Sequence, residues 1–266
     1  MNTGLNNKHI VVTGASGGIG FDAVSRFLAE GAKVTACYMS DPRGLSTLKD
    51  ACPERLNIAK VDVREESEMA SLFSEAITVF GRVDVTVANA GIAFHESVAL
   101  HEMSMDQWQQ TLAVNLTGVF LCAKHFFINL KEHPGEDASL VIVGSTSGEF
   151  GEIGHADYST SKAGLRGLLM TLKNEIVHLA ARGRVNLVNP GWTKTPMAED
   201  ALSDKAMVSR ILQTIPLRKV ATPSDIAHAI LYFSSDTLAG HVSGQTITVA
   251  GGMEGRVLFT RDEVGE

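Results

Sequence analysis

The chain has 266 residues, of which 44 % are hydrophobic and 20 % charged, so it can bury a core and is not of disordered composition. Its formal net charge of −7 at pH 7 argues against nucleic acid as a partner, because phosphate backbones recruit a basic surface. The three cysteines, Cys37, Cys52 and Cys122, are widely spaced and form no CxxC pair. Neither a disulfide framework nor a zinc knuckle is therefore predicted.

The amino-terminal residues lack the basic segment and the apolar run of a secretory signal peptide. The best apolar run, residues 114–123, falls short of the roughly 18 residues of a membrane span and contains Asn115 and Thr117. We therefore expect a cytoplasmic protein with no membrane partner.

Short apolar runs alternate with longer helical patterns along the whole chain. The predicted strands cover residues 9–13, 33–38, 57–61, 83–88, 139–143, 184–188 and 246–249. The predicted helices cover residues 18–30, 66–80, 105–131, 156–181 and 223–235. Several strands are apolar at consecutive positions, which suits a parallel sheet buried on both faces. We predict one α/β domain over residues 1–266, a doubly wound, seven-stranded parallel sheet with helices on both faces.

Residues 196–216 interrupt this alternation after the sixth predicted strand. The segment has polar and apolar residues at helical spacing and no strand pattern beside it. An insertion after the carboxyl end of a strand lies where α/β sheets bind ligands. The segment therefore predicts a substrate lid, and a simple surface helical hairpin is the alternative.

A glycine-rich turn, Gly14-Ala15-Ser16-Gly17-Gly18-Ile19-Gly20, joins the first predicted strand to the first helix. Glycine allows a tight turn and a close backbone approach, and a helix start offers free N–H groups to a pyrophosphate. The spacing Gly14-x3-Gly18-x-Gly20 differs from the common GxGxxG fingerprint. A dinucleotide site is indicated, with a plain turn as the alternative.

This TGxxxGxG turn resembles that of the short-chain dehydrogenase/reductase family, in the single-domain branch of 3-oxoacyl reductases and glucose dehydrogenases. Further motifs of the family follow in order: Asn89-Ala90-Gly91, Asn115, Ser145, Tyr158-x3-Lys162 and Pro190-Gly191-x3-Thr195. The resemblance implies a Rossmann-like domain that interconverts a small-molecule secondary alcohol and a ketone with NAD(P). It also implies a homo-oligomer, a dimer or a tetramer, formed through the long helices after the fourth and fifth strands.

Tyr158 and Lys162 are four positions apart and share one face of a helix. An ammonium beside a tyrosine lowers its pKa from about 10, so that its hydroxyl can exchange a proton with a substrate oxygen. By resemblance, Tyr158 is the acid in ketone reduction and the base in alcohol oxidation, while Lys162 tunes it and holds the nicotinamide ribose. Ser145 would hydrogen-bond the substrate oxygen, and Asn115 would support a water-linked proton path through Lys162.

The resemblance also assigns the contacts of the cofactor. They are Gly14, Ser16, Gly18, Ile19 and Gly20 in the glycine-rich turn, Asp62 and Val63 after the third strand, Asn89, Ala90 and Gly91 after the fourth, and Pro190, Gly191, Thr193 and Thr195 after the sixth, together with Tyr158 and Lys162.

The choice between NAD and NADP is expected at the end of the second strand. Tyr38 occupies the position where an acidic residue would bind the ribose of NAD and repel a 2′-phosphate. Ser16, Ser40 and Arg43 could contact such a phosphate, whereas Asp41 would oppose it. The sequence favours NADP and leaves NAD open.

Other readings of the chain have less support. The histidines show no metal-ligand spacing such as HExxH, so no metal site is predicted. Ser145 lacks the GxSxG elbow of a hydrolase. A dinucleotide-binding sensor or scaffold without turnover remains the alternative function, although it would not need Asn115, Ser145, Tyr158 and Lys162.

For the substrate pocket, the sequence indicates an apolar wall of Phe150, Ile153, Trp192 and Met197, with Glu149 and His155 as the polar groups. This set suits a compact cyclic or 3-oxoacyl ketone, and equally a sugar or a steroid.

Overall fold

The computed structural model describes residues 2–260 and 262–264. Its strands are β1 His9–Val12, β2 Lys33–Tyr38, β3 Leu56–Lys60, β4 Val85–Ala88, β5 Asp137–Val143, β6 Arg182–Pro190 and β7 Thr246–Val249. Its α-helices are α1 Gly18–Ala29, α2 Gly44–Ala51, α3 Glu66–Phe80, α4 Met105–Leu112, α5 Gly118–Glu132, α6 Ser147–Phe150, α7 Ala156–Glu175, α8 Glu199–Ser203, α9 Lys205–Leu212, α10 Pro223–Ser234 and α11 Asp236–Ala239.

The seven strands form one parallel sheet in the order β3-β2-β1-β4-β5-β6-β7. The chain winds outward in one direction from β1 and in the other from β4, so the loops after these two strands diverge. Open α/β sheets bind ligands at such a switch point, outside the carboxyl ends of the strands. The predicted doubly wound, seven-stranded parallel sheet is confirmed.

Two apolar layers cover the two faces of the sheet. The first packs α3, α5 and α7 against the strands, with Phe73 and Phe126 among its buried side chains. The second packs α1, α2 and α10 on the opposite face, around Phe27 and Phe233. Since both faces are covered, β1 and β4 are buried at every position, as their continuous apolar runs require.

The helix predicted over residues 105–131 is divided in the structure. A π-helical turn, Ala113–Thr117, separates α4 from α5 and contains Asn115. Such turns are rare and occur mostly as single bulges inside α-helices, frequently at functional sites. The apolar periodicity continues across the bulge, which explains why the sequence predicts one uninterrupted helix.

Other differences from the predictions have physical causes in the structure. Strand β4 begins at Val85 because the backbone N–H and C=O of Val83 both bond to the side chain of Asn129, at 3.0 and 2.9 Å. The helix predicted to reach residue 181 ends at Glu175 and continues as a 3₁₀ turn, Ile176–His178, from which the chain turns into β6. The sequence predicts no helix at α2. Leu45 is its only buried residue, and a single buried residue produces no hydrophobic periodicity.

By length and composition, the helical stretch Met105–Glu132 is the one candidate for a membrane span in the described part of the chain. More than half of its most apolar window is buried inside the fold. Val119, Leu121 and Phe126 of α5 pack in the same layer as α3 and α7. Its apolar character therefore matches its place in the core.

The segment predicted as a lid forms a 3₁₀ turn, Pro196–Ala198, and the two short helices α8 and α9. No residue of α8 is buried, whereas Ile211 in α9 and Ile215 after it are 4 % and 2 % exposed. The lid is thus anchored at its far end and loosely packed at its near end.

The segment after β7 that includes residues 255–259 contacts the end of the lid. The amides of Leu258 and Phe259 donate to the carbonyl of Gln213, just after α9, at 2.7 and 3.2 Å. Gly255 packs on the ring of Phe150 in α6. The segment therefore bridges the lid and the turn that follows β5.

Candidate active site

The glycine-rich turn links β1 to α1 at the switch point of the sheet. Gly14 has a φ of +62°, and a Cβ there would lie 2.8 Å from the Cα of Ala90 in the turn after β4. Only glycine combines this backbone conformation with so close an approach. Ser16 lies in the same turn, and Gly18, Ile19 and Gly20 form the first turn of α1, whose N–H groups are free to bind an anion.

The side chain of Asn89 braces this turn. Its Nδ2 donates to the carbonyls of Thr13 and Gly14, at 2.9 and 3.0 Å. The backbone amides of Asn89 and Ala90 donate to the hydroxyl of Thr13. Asn89 therefore acts on the predicted cofactor site by holding the phosphate turn in shape, while Ala90 and Gly91 line the space beside it.

The loop after β6 closes the other side of the glycine-rich turn. A Cβ on Gly18 would lie 2.9 Å from Cγ2 of Thr195, which follows Pro190 and Gly191 at the end of β6. Thr193 is 5 % exposed, and its hydroxyl donates to the carbonyl of Gly191 at 2.8 Å. The loop after β6 thus packs directly against the glycine-rich turn, through the contact of Thr195 with Gly18.

Arg43 lies at the open end of the glycine-rich turn, near the end of β2. A Cβ on Gly17 would lie 3.0 Å from Nη1 of Arg43, so the guanidinium rests against the turn. Its backbone amide bonds to the Asp41 carboxylate at 2.9 Å, and Tyr38 ends β2 half-buried nearby in the chain. None of the ion pairs between described residues includes Arg43.

Asp62 and Val63 follow β3 as predicted, but the carboxylate of Asp62 already has a partner. Arg64 donates to both of its oxygens, at distances between 2.6 and 3.0 Å. These bonds lower the pKa of Asp62 and keep it ionised. Val63 is buried against Gly118 at the start of α5.

A tight turn after β5 carries Ser145 towards α7. Gly144 and Thr146 are tied to β6 through the carbonyls of Val188 and Pro190, at 2.8 and 2.9 Å. A Cβ on Gly148 would lie 2.7 Å from the main chain of Lys162, so this glycine lets the turn touch the α7 backbone. The Ser145 side chain is thereby brought within hydrogen-bond reach of Tyr158.

Lys162 is buried beneath this turn. It is 6 % exposed, its Nζ donates to the carbonyl of Val143 at 3.1 Å, and it lies 5.8 Å from the centre of the Tyr158 ring. Burial lowers its pKa from 10.5 to about 8. Lys162 therefore remains mostly protonated at pH 7 and becomes neutral under mildly alkaline conditions.

The pKa of Tyr158 is raised, whereas the sequence predicts that Lys162 lowers it. Burial is the largest cause, and the negative charge of Glu152 adds to it, while a hydrogen bond with Ser145 acts in the opposite direction. Desolvation disfavours the phenolate more than the neighbouring groups stabilise it. Tyr158 is accordingly a protonated group at neutral pH in the cofactor-free protein.

Asn115 lies in the π-helical turn with its side chain fully buried. Its Oδ1 accepts from the amide of Ile92 at 2.8 Å, and its Nδ2 donates to the Ile92 carbonyl at 2.9 Å and to the Ser161 hydroxyl at 3.1 Å. Both hydrogens of its Nδ2 are already donated, so the side chain could bind a water molecule only by accepting a hydrogen bond at Oδ1. It joins the loop after β4 to α7, one residue before Lys162.

Glu152 is a polar group of the site that sequence reasoning missed. Ser147 Oγ donates to its Oε2 at 2.6 Å, in the same turn that carries Ser145. The predicted pocket residue Glu149 is exposed and instead accepts from Thr248 of β7 at 3.1 Å. Helical periodicity gives no signal for Glu152, because it stands in an irregular loop whose course depends on α7.

The residues around the switch point of the sheet have the chemistry that a dinucleotide requires, with a glycine-rich turn at the start of a helix and Lys162 close to the turn after β4. A Cβ on Gly91 would lie 3.2 Å from Asn115 Oδ1 and 3.3 Å from Lys162 Nζ, so the absence of a side chain lets this turn pack closely against both polar groups. Asn89 in the same turn connects this place to the glycine-rich turn at the start of α1. Across residues 2–260 and 262–264, no three His, Cys, Asp or Glu side chains are grouped to hold a metal ion.

Comparisons with known proteins match most of the chain. The family model described as enoyl-(acyl carrier protein) reductase matches residues 14–254. The chain is 34 % identical to a 3-oxoacyl-[acyl-carrier-protein] reductase of Synechocystis sp., over 94 % of this chain and 98 % of that protein. It is 37 % identical to 3beta-hydroxysteroid dehydrogenase 1 of Eggerthella lenta, over 94 % of each.

A solved structure shares the fold. It is a short-chain dehydrogenase/reductase of Brucella melitensis, titled a glucose/ribitol dehydrogenase, with a TM-score of 0.86 and 32 % identity. The match covers 96 % of this chain and 99 % of that one. The resemblance read from the motifs is confirmed, and the chain belongs to the short-chain dehydrogenase/reductase family.

Proposed function

We propose that this protein is an NAD(P)-dependent oxidoreductase that interconverts a secondary alcohol and a ketone. The observation that carries the proposal is the meeting of Ser145, Tyr158 and Lys162 at the carboxyl end of β5, next to the turn after β4 that packs against the glycine-rich turn. The relatives named above, a reductase of 3-oxoacyl groups and a dehydrogenase of 3β-hydroxysteroids, support the same class of reaction.

In ketone reduction, the bound cofactor supplies the hydride. Tyr158 donates its proton to the substrate oxygen, while the Ser145 hydroxyl donates a hydrogen bond to the same atom. The Lys162 ammonium, whose pKa is about 8, stabilises the phenolate that remains on Tyr158 and would hold the nicotinamide ribose of a bound cofactor. Asn115 keeps the loop after β4 against α7 and thereby supports Lys162.

The raised pKa of Tyr158 favours one direction at neutral pH. The protonated hydroxyl is the form that acts as an acid, so ketone reduction proceeds without a prior ionisation. Alcohol oxidation needs the phenolate, and the fraction of phenolate grows as pH rises towards the pKa. The proposal therefore includes reduction near pH 7 and oxidation that is favoured at alkaline pH.

A panel of ketones and alcohols, assayed with NADPH and NADH through the nicotinamide absorbance, tests the proposed function. Consumption of reduced cofactor with at least one ketone is expected. Tight binding of dinucleotide without turnover of any member of the panel would instead identify a sensor or scaffold.

The same proposal includes a preference for NADPH. Arg43 lies against the glycine-rich turn without an acidic partner among the described residues, and a 2′-phosphate is the group that would pair with it. Arg43→Ala is expected to weaken NADPH binding by about tenfold. NADH binding serves as the internal control and should change little. Titrations followed by tryptophan fluorescence measure both affinities, and tighter binding of NADH by the unaltered protein would contradict the preference.

We also propose that residues 196–216 close over the substrate. Pro196 begins the lid against Gly17 and Gly18, so the lid is tethered to the phosphate turn. Hydrogen exchange in residues 197–208 is expected to be fast in the free protein and slower with NADPH, while Ile211 and Ile215 anchor the far end in both states. Equal exchange rates with and without NADPH would mark a permanently packed hairpin.

Oligomer formation remains a prediction, and the exposed apolar side chains of the two long helices support it. Phe120 and Ile128 on α5, and Met170 and Val177 at the end of α7 and just after it, are exposed apolar side chains. Exposed apolar side chains on the long helices are suited to pairing with a second copy of the chain. The cytoplasmic location stays an expectation from the sequence.

A further inference from the structure

Glu152 is held close to the candidate catalytic groups from two sides. Its main-chain amide donates to the Ser159 hydroxyl at 3.1 Å, next to Tyr158 on α7. Its carboxylate accepts from the Ser147 hydroxyl at 2.6 Å, and the Ser147 amide donates to Ser145 Oγ at 3.1 Å. The loop of Glu152 is thereby fixed to both elements that carry the reacting hydroxyls.

The negative charge of Glu152 has no cationic partner among the residues that the structure describes. None of the ion pairs there includes it, although its charge is close enough to raise the pKa of Tyr158. Ser147 occupies Oε2, and no described group donates to Oε1. A half-buried carboxylate with one free oxygen is suited to accept a hydrogen bond from a ligand.

We propose that Glu152 is a specificity-determining residue that accepts a hydrogen bond from a second hydroxyl of the substrate, next to the reacting carbon. This inference rests on the proposed function and names its substrate class, an uncharged hydroxyketone and the corresponding diol. A substrate with a carboxylate at the same position would face the Glu152 charge at close range and is rejected. A plain ketone leaves Oε1 without a donor and loses that contact.

The small number of hydrogen-bond acceptors near Glu152 favours a hydroxyl as the substrate group that binds there, rather than an ammonium. An ammonium has three N–H groups to satisfy when it leaves water, whereas a hydroxyl has one. Oε1 of Glu152 meets the need of a hydroxyl completely. An ammonium that bonded to Oε1 and to Ser147 Oγ would still have a third N–H without an acceptor from these two residues.

The test compares 2-hydroxycyclohexanone with cyclohexanone, as kcat/KM in the presence of NADPH. The wild-type protein is expected to prefer the hydroxyketone by about tenfold to a hundredfold, the value of a hydrogen bond to a charged group. Glu152→Ala should abolish most of this preference, and Glu152→Gln should reduce it. Glu149→Gln is the matched control, because Glu149 is three positions away in the adjoining helix α6 and accepts a hydrogen bond from Thr248.

A second readout separates a specific role from a structural one. Removal of the Glu152 charge lowers the pKa of Tyr158, so the pH profile of alcohol oxidation should move to lower pH in Glu152→Gln and stay in place in Glu149→Gln. If Glu152 had only a structural role, Glu152→Gln would lower the rate of alcohol oxidation without moving its pH profile.

The outcomes are distinguishable. If the wild-type protein turns over no ketone of any kind, the proposed function itself fails. If it reduces ketones but shows no preference for the hydroxyketone, or if Glu152→Ala keeps the wild-type preference, the proposed function stands and the role of Glu152 is overturned.

Discussion

Tyr158→Phe is expected to lower turnover by about 10²- to 10⁴-fold while dinucleotide binding persists. The substitution removes only the hydroxyl, and with it the proton that is transferred to the substrate oxygen. The ring and its packing on α7 are unchanged. Turnover measured at saturating cofactor, with binding followed separately by tryptophan fluorescence, separates the two effects.

Tyr232→Phe is the matched control for this substitution. Tyr232 lies on α10, on the opposite face of the sheet, with its ring 5.5 Å from that of Phe233. Loss of its hydroxyl should leave turnover close to the wild-type rate. Near-normal activity of Tyr158→Phe would remove Tyr158 from the reaction.

Lys162→Met is expected to abolish most activity and yet to stabilise the cofactor-free protein at pH 7. Burial lowers the pKa of Lys162 from 10.5 to about 8, so the charged side chain destabilises the folded state by about 3 kcal/mol. Below pH 8 both the folded and the unfolded chain hold this proton, and the whole penalty is present. Methionine has a similar length and no charge, so the penalty disappears.

The sign of this effect depends on pH. Between about pH 8 and 10.5 the folded protein has released the Lys162 proton while the unfolded chain retains it, so wild-type stability rises with pH. The advantage of Lys162→Met in urea unfolding should therefore be largest at pH 7 and shrink by pH 10. Lys131→Met, an exposed site on α5, is the control. A variant that is less stable than the wild type at pH 7 would contradict the cost assigned to the buried charge.

Much of the fold follows from local patterns in the chain. Continuous apolar runs predict strands that are buried on both faces, and all seven strands lie within two residues of their predicted limits. Thr222 and Pro223 predict the start of α10, where a capping box between Thr222 and Asp225 is present. These features depend on periodicity and on the conformations of single residues, which the order of amino acids specifies directly.

Other features depend on contacts between distant parts of the chain. The side chain of Asn129 bonds to the backbone N–H and C=O of Val83, so Val83 is not part of the strand predicted for it. The two residues are 46 positions apart in the sequence. The π-helical turn at Asn115 leaves the apolar periodicity of α4 and α5 intact, so no local pattern reveals it.

The candidate site also combines features that the local sequence determines with features that depend on contacts between distant residues. The motifs name Ser145, Tyr158 and Lys162 and their spacing, because a helix face and a strand end are local properties. Only the folded chain shows the direction of the Tyr158 pKa shift and the place of Arg43 beside Gly17. The same holds for the contact of Glu149 with Thr248 and for the effect of the Glu152 charge on Tyr158. Burial and charge act through space, and these distances are set by packing between elements that lie far apart in the sequence.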